Sequence, residues 1–122
     1  MNPDMRKENE TGMNIQTCME LVNSLAPGRA DDALKLRLLG EIEGRVKVEL
    51  LGYSPEETDT FDSETPGDTE LCAPHPYDQL YWLYVLTMMD YLSGDPGRYE
   101  NGATMFNAAY QGYGKWLKRQ GV

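Results

Sequence analysis

The feature that most constrains the fold is a run of apolar residues between positions 31 and 52 that repeats at helical spacing. The run consists of Leu34, Leu38, Ile42, Val46 and Leu50, with Leu39 and Leu51 beside it. This spacing places the apolar side chains on one face of an α-helix, whereas a half-buried strand would alternate them. Asp31 or Asp32 is a suitable N-cap, and Gly52 ends the pattern. We therefore predict a helix of about 20 residues.

The other side of this helix is predicted to be solvated. It carries charged residues of both signs, namely Lys35, Arg37, Glu41, Glu43, Arg45, Lys47 and Glu49. Several lie four residues apart, which favours ion pairs along a helix surface. The carboxylates Glu41 and Glu49 are interpreted in the same way, not as an acid–base pair. Gly40 and Gly44 indicate close approach of another helix, or are simply tolerated.

Two further segments also have helical spacing. A short first helix is predicted after the cap Asn14, and Pro27 is its stop. A third helix is predicted from Pro76, at its first position, to a stop at Gly94. Apolar residues cover most sides of this third helix, so we expect it to be buried all round.

The last helix is predicted from a cap and a proline at Asp95 and Pro96 to about residue 118. Its aromatic residues repeat at helical spacing, at Tyr99, Phe106, Tyr113 and Trp116. Such a stripe either packs toward the third helix or stacks on single-stranded bases beside the nearby basic residues. The basic residues are Lys115, Lys118 and Arg119. Because the aromatic stripe continues the apolar period of the helix, we favour packing.

Three glycines interrupt this last helix, at Gly102, Gly112 and Gly114. Glycine weakens a helix, but it permits close approach of a neighbour or local bending. We therefore treat these three residues as a candidate interface.

Together these segments predict an all-α fold, a small bundle of about four helices with a long acidic loop between the second and third. The chain has 122 residues, which fits a single domain. We assign residues 14–122 to that domain, residues 52–75 to the loop, and residues 1–13 to a polar, disordered leader.

The loop holds most of the excess negative charge of the chain, which is −9 overall. Its acidic residues are Glu56, Glu57, Asp59, Asp62, Glu64, Asp68 and Glu70, and no Lys or Arg occurs between positions 52 and 72. Long loops of this kind are functional arms or disordered segments. The charge argues against a dedicated nucleic-acid binder, because phosphate backbones are repelled. No apolar run is long enough to suggest a membrane span.

No catalytic, cofactor-binding or metal-binding residue is predicted. His75 is the only histidine and lies between two prolines, so we interpret it as a turn or capping residue. Cys18 and Cys72 form no CxxC pair and are interpreted as reduced thiols, with Cys18 in the core. No zinc-ligand spacing occurs and the loop lacks the calcium-loop pattern, although weak divalent binding by its carboxylates stays open.

Two stretches of the sequence, residues 35–52 and 76–119, resemble a family of small phage and prophage proteins of Gram-positive bacteria. The residues that carry the resemblance read LGEIEGRV over 39–46, PYD over 76–78 and ATMFNAAY over 103–110. These proteins are encoded among head and portal genes and are similar to head-to-tail connector or head-completion adaptors. The polar leader and the enlarged acidic loop depart from the family pattern.

The resemblance implies an all-helical adaptor without enzymatic activity or cofactor. It implies a ring of copies beneath the portal that extends the DNA channel, with the portal and neighbouring connector or tail proteins as partners. Such a protein would occupy the bacterial cytoplasm during assembly and then the head-to-tail junction of the virion. In that setting we expect the acidic loop to face the channel or a partner protein.

Two alternatives remain at the level of the sequence. The first is a small prophage-encoded regulator that binds a partner through its helical surface or through the acidic loop as a DNA mimic. The second is an enzyme that uses His75 with loop carboxylates, for which His75→Ala would abolish turnover.

Overall fold

The computed structural model describes residues 12–121 and is built from four helices around one hydrophobic core. In chain order they are α1 (Ile15–Leu25), α2 (Asp32–Arg45), α3 (Gln79–Leu92) and α4 (Pro96–Arg119). The described part contains no strand, only an isolated bridge between Asn14 and Glu70. The prediction of a small all-α bundle is confirmed. Residues 1–11 of the predicted leader lie outside the described residues.

Three of the helices begin at the caps that the sequence predicts. The side chains of Asn14, Asp31 and Asp95 each accept a hydrogen bond from the backbone N–H three residues later, at 2.8, 2.9 and 3.1 Å. Each of these bonds satisfies one of the N–H groups that a helix start leaves without a partner.

Helix α2 does not stop at Arg45 but continues as a wider π-helical turn over Val46–Leu50. The Leu51 N–H donates to the Val46 carbonyl at 3.1 Å, five residues back. Gly52 then ends the helix with a φ of 82°, a conformation that favours glycine. The predicted length of about 20 residues is therefore confirmed.

Helix α3 differs from its prediction at both ends. It starts at Gln79, because residues 75–78 form a turn in which the Tyr77 N–H donates to the Pro74 carbonyl at 2.7 Å. At its other end Tyr91 and Leu92 are 59% and 56% exposed. The expectation of a helix buried all round is therefore wrong for its last turn.

Helix α3 is the centre of the bundle and packs against the other three helices. Its side chains Leu80, Tyr81 and Val85 have no exposed surface. Helices α1 and α3 run in the same direction, since Met13 bonds to Leu71 before their starts and Arg29 pairs with Asp90 near their ends. Helix α4 runs antiparallel to α3, as the ring contacts between the two helices show.

Candidate interaction surfaces

The acidic loop is packed onto the bundle and is not freely solvated. Phe61, in its middle, is buried against α2. A Cβ placed on Gly40 would lie 2.9 Å from the Phe61 backbone nitrogen, and one on Gly44 would lie 3.7 Å from Thr58. The close approach predicted at these glycines therefore exists at Gly40, but the neighbour is the loop and not another helix.

The loop also completes the start of helix α1. The N–H groups of Ile15 and Gln16, which have no partner inside their own helix, donate to the carbonyls of Thr69 and Gly67 at 3.0 and 2.9 Å. Leu71 follows in the core. The returning part of the loop is thereby fixed by backbone hydrogen bonds as well as by apolar burial.

The next two residues of the chain, Cys72 and Ala73, are held by hydrogen bonds to a buried carboxylate and to the tyrosine that binds it. Glu43 accepts a hydrogen bond from the Cys72 N–H at 2.8 Å and another from the Tyr81 hydroxyl at 2.6 Å. The Tyr81 oxygen in turn accepts from the Ala73 N–H at 2.8 Å. Burial, and then the negative charge of Glu43, raise the pKa of Tyr81 far above its ordinary range. We call these residues the Glu43 network.

The expectation that Glu43 and Lys35 belong to a solvated face is wrong, because both are buried. The Lys35 ammonium instead donates to the Asn23 side chain at 2.6 Å. The sequence contains a signal for both positions. Glu43 lies four residues after the buried Leu39, and Lys35 lies three residues before the buried Leu38, so each shares the apolar face.

The seven acidic side chains of the loop, Glu56, Glu57, Asp59, Asp62, Glu64, Asp68 and Glu70, are all exposed. No ion pair within residues 12–121 involves any of them. Ser54 caps the short turn Pro55–Glu57, and its hydrogen bonds lower the pKa of the Glu57 carboxyl. Because Phe61 and Leu71 are buried, the loop holds these exposed carboxylates on the bundle, and we call the seven together the acidic face.

The position of His75 and the search for metal-binding clusters bear on a possible enzymatic site. His75 is exposed in the 75–78 turn, as predicted, with its Nδ1 atom 3.6 Å from an Asp78 carboxylate oxygen. Across the described part of the chain, no three His, Cys, Asp or Glu residues are arranged to hold a metal ion.

The two cysteines are free thiols, buried at Cys18 and partly buried at Cys72. Burial raises the pKa of Cys18 to about 12. At Cys72, burial and the nearby Glu43 carboxylate raise the pKa from 9.0 to about 11.

This shift predicts slow alkylation of Cys72 in the folded protein. At pH 8 its thiolate fraction should be about a hundredfold below that of an ordinary thiol. The alkylation rate with iodoacetamide, followed by mass spectrometry, should rise up to a pH of about 11. The urea-unfolded chain, with its thiol near 9.0, serves as the control. Because the unfolded thiol loses its proton first, stability should fall as pH rises above 9.0.

The aromatic stripe of α4 is largely used in packing. Tyr77, in the turn before α3, lies 5.5 Å from the rings of both Tyr113 and Trp116. Phe106 lies 5.3 Å from the ring of Tyr84 on α3. The packing interpretation is thus confirmed for Phe106 and Tyr113, both of which are buried.

The three glycines of α4 differ in their surroundings. A Cβ on Gly102 would overlap the Thr87 side chain, so this glycine serves the contact between α3 and α4. One on Gly114 would lie 3.5 Å from Leu50. Gly112 faces open space with respect to the described residues. Of the three candidate interface glycines, Gly102 is thus covered by packing within the chain. Gly112 is not covered in this way, and its role in an interface stays a prediction.

Alanine should therefore have opposite effects at two of these sites. Gly102→Ala should lower the free energy of unfolding by about 1–3 kcal/mol, because Thr87 must move. Gly112→Ala should raise it by up to about 1 kcal/mol, because the helix gains propensity without a clash. Urea denaturation of both variants checks this. Equal effects at the two positions would contradict the assignment of Gly102 to helix packing.

Several exposed apolar side chains lie at the end of the bundle where α1 and α3 finish. Tyr91 and Leu92 are exposed there, as is Leu25 at the end of α1. The Tyr91 ring lies 5.3 Å from that of Tyr99, and the two line a pocket of about 280 Å³ with Pro96. We call this group of side chains the apolar end. The sequence did not indicate it, because the last turn of α3 has the composition of a buried helix.

No helix among residues 12–121 combines the length and the apolar character needed to cross a membrane. Comparison of the chain with protein-family models, with curated proteins and with solved structures found no match in any of the three.

Proposed function

We propose that this protein is a structural subunit of a phage head-to-tail connector, which forms a ring beneath the portal and lines or extends the DNA channel. The observation that carries the proposal is the acidic face, in which seven exposed carboxylates are held on the bundle by Phe61 and Leu71. The resemblance of residues 35–52 and 76–119 to connector proteins supports the same function.

A fixed acidic surface suits a channel through which DNA must pass. Carboxylates repel the phosphate backbone, so DNA slides without binding to the wall. Because the loop is anchored through the Glu43 network and the start of α1, its charges keep their positions on the subunit. The apolar end then offers exposed surface that contact with another protein would remove from water.

The proposal predicts a portal gene near the gene for this chain, and its test is assembly of the chain with the portal protein which that gene encodes. We expect the two purified proteins to co-sediment and to give rings in negative-stain images. A single-chain species without added portal does not decide the matter, so the portal is included from the start. Failure to bind the portal or any neighbouring connector or tail protein would overturn the proposal.

The role of the acidic face has a separate test in the assembled ring. A variant with Glu64→Gln and Asp68→Asn should assemble normally, because both side chains are exposed. Its rings should retain linear duplex DNA more strongly than wild-type rings in a filter-binding assay at low salt. Equal retention would remove the acidic face from the channel wall.

The same exposed carboxylates also suit a regulator that imitates DNA. That function predicts a complex with a basic host protein and no ring on addition of portal. The assembly experiment therefore separates the two functions.

A further inference from the structure

A groove of about 460 Å³ lies between the π-helical turn Val46–Leu50 and the last turns of α4. Leu50 and Leu117 line it with apolar surface, and Gly114 contributes no side chain to fill it. Lys115 and Lys118 line the same groove. It therefore combines an apolar floor with two cationic groups.

The positive charge of this groove has little local compensation. From position 101 to 121 the chain contains no Asp or Glu. Within the described residues, no ion pair involves Lys115 or Lys118. The one acidic group of the groove is Glu49, which accepts a hydrogen bond from Tyr110 and lies 3.7 Å from Arg45.

A surface of complementary character lies at the start of the acidic loop. The capped turn Pro55–Glu57 exposes all three of its residues, and Asp59 beyond it is exposed as well. Tyr53, just before the turn, is 40% exposed. We call residues 53–59 the loop turn. It presents apolar groups beside carboxylates, the counterpart of a groove with an apolar floor and ammonium groups.

One copy of the chain does not join these two surfaces. In one copy, Pro55 and Asp59 line a separate cleft and not the groove, although Glu49 borders both. No ion pair connects them in the described residues. Both surfaces are exposed, so each is open to contact with a second copy.

We propose that the loop turn of one copy docks in the groove of a second copy. Pro55 would pack on the apolar floor, and Glu56 and Asp59 would pair with Lys115 and Lys118. This contact rests on the proposed function in one respect, since in a ring it would be the contact between neighbouring subunits. If the contact repeats in one direction, it yields a ring or a filament, since the two surfaces are different.

Charge reversal in the loop turn separates this contact from general charge effects. The substitutions Glu56→Lys and Asp59→Lys make the chain four units less negative, so reduced repulsion between copies of net charge −9 would strengthen association. A specific contact predicts the reverse, with self-association weakened about fivefold or more. Glu57 is left unchanged because it belongs to the Ser54 cap.

The matched control is Glu64→Lys with Asp68→Lys. It makes the same charge change in the same loop, at exposed residues outside the loop turn. Sedimentation velocity of the full chain without portal, at low salt and over a concentration series, measures the association. We expect the control to associate at least as strongly as wild type. Equal behaviour of the two reversed variants, or no association of wild type at any concentration, would overturn the contact.

Restoring complementarity gives the second measurement. Lys115→Glu with Lys118→Glu should weaken association, and the chain with all four substitutions should recover it, because the charges are then exchanged. No recovery would overturn the contact even where each reversed pair weakens association. Binding to portal is scored separately in the same variants, so a chain that binds portal without this self-contact refutes the contact and leaves the proposed function in place.

Discussion

Replacing Phe106 with alanine should lower the free energy of unfolding by about 3–5 kcal/mol. The side chain is 6% exposed and its ring lies 5.3 and 5.5 Å from those of Tyr84 and Tyr110. The Arg45 guanidinium lies 6.0 Å from the same ring. Removal of the Phe106 ring leaves a cavity between α2, α3 and α4, which rigid helices cannot close completely.

Urea denaturation followed by circular dichroism measures this loss. Met105→Ala is the matched control, because Met105 is the preceding residue of α4 and is 56% exposed. The control should change stability by about 0.5 kcal/mol or less. A loss at Phe106 no larger than that at Met105 would show that the α4 stripe does not form the core contact described here.

The helices could be predicted from the sequence because their signals are local. The spacing of Leu38, Ile42 and Val46 and the caps at Asn14 and Asp31 each depend on a few neighbouring residues. The predicted start of α3 lies three residues too early, because a proline suits both the first turn of a helix and a preceding turn. The exposed end of α3 was missed for another reason. Composition shows that a helix is apolar, but not which of its turns the neighbouring helices cover.

The path of the acidic loop could not be predicted, because its contacts are non-local. Phe61 meets Gly40 some twenty positions away, and Thr69 bonds to Ile15 far earlier in the chain. No periodicity links such residues. The sequence predicts that the loop carboxylates are exposed, but it does not predict that the loop is held in place on the bundle. The groove beside Lys115 likewise depends on how α4 meets the end of α2.

Glu43→Ala should lower the free energy of unfolding by about 2–5 kcal/mol, since it leaves two buried donors without an acceptor. These are the Cys72 N–H and the Tyr81 hydroxyl, at 2.8 and 2.6 Å from the carboxylate. Glu43→Gln should cost less, because its single carbonyl oxygen still accepts one of the two bonds. Glu41→Ala is the control, since Glu41 is exposed and accepts only a 3.2 Å bond from Tyr84 within the described residues.

Limited proteolysis distinguishes loss of the Glu43 network from general loss of stability. Glu43 is the acceptor that ties the end of the loop to α2, so its removal should release the loop before the bundle unfolds. Cleavage within residues 52–72 should therefore accelerate in Glu43→Ala at urea concentrations where the helical signal is unchanged. Phe106→Ala, with a comparable loss of stability and an intact network, should show no such separation between cleavage and unfolding. If both variants are cleaved only as they unfold, then Glu43 stabilises the bundle as a whole and does not specifically hold the acidic face.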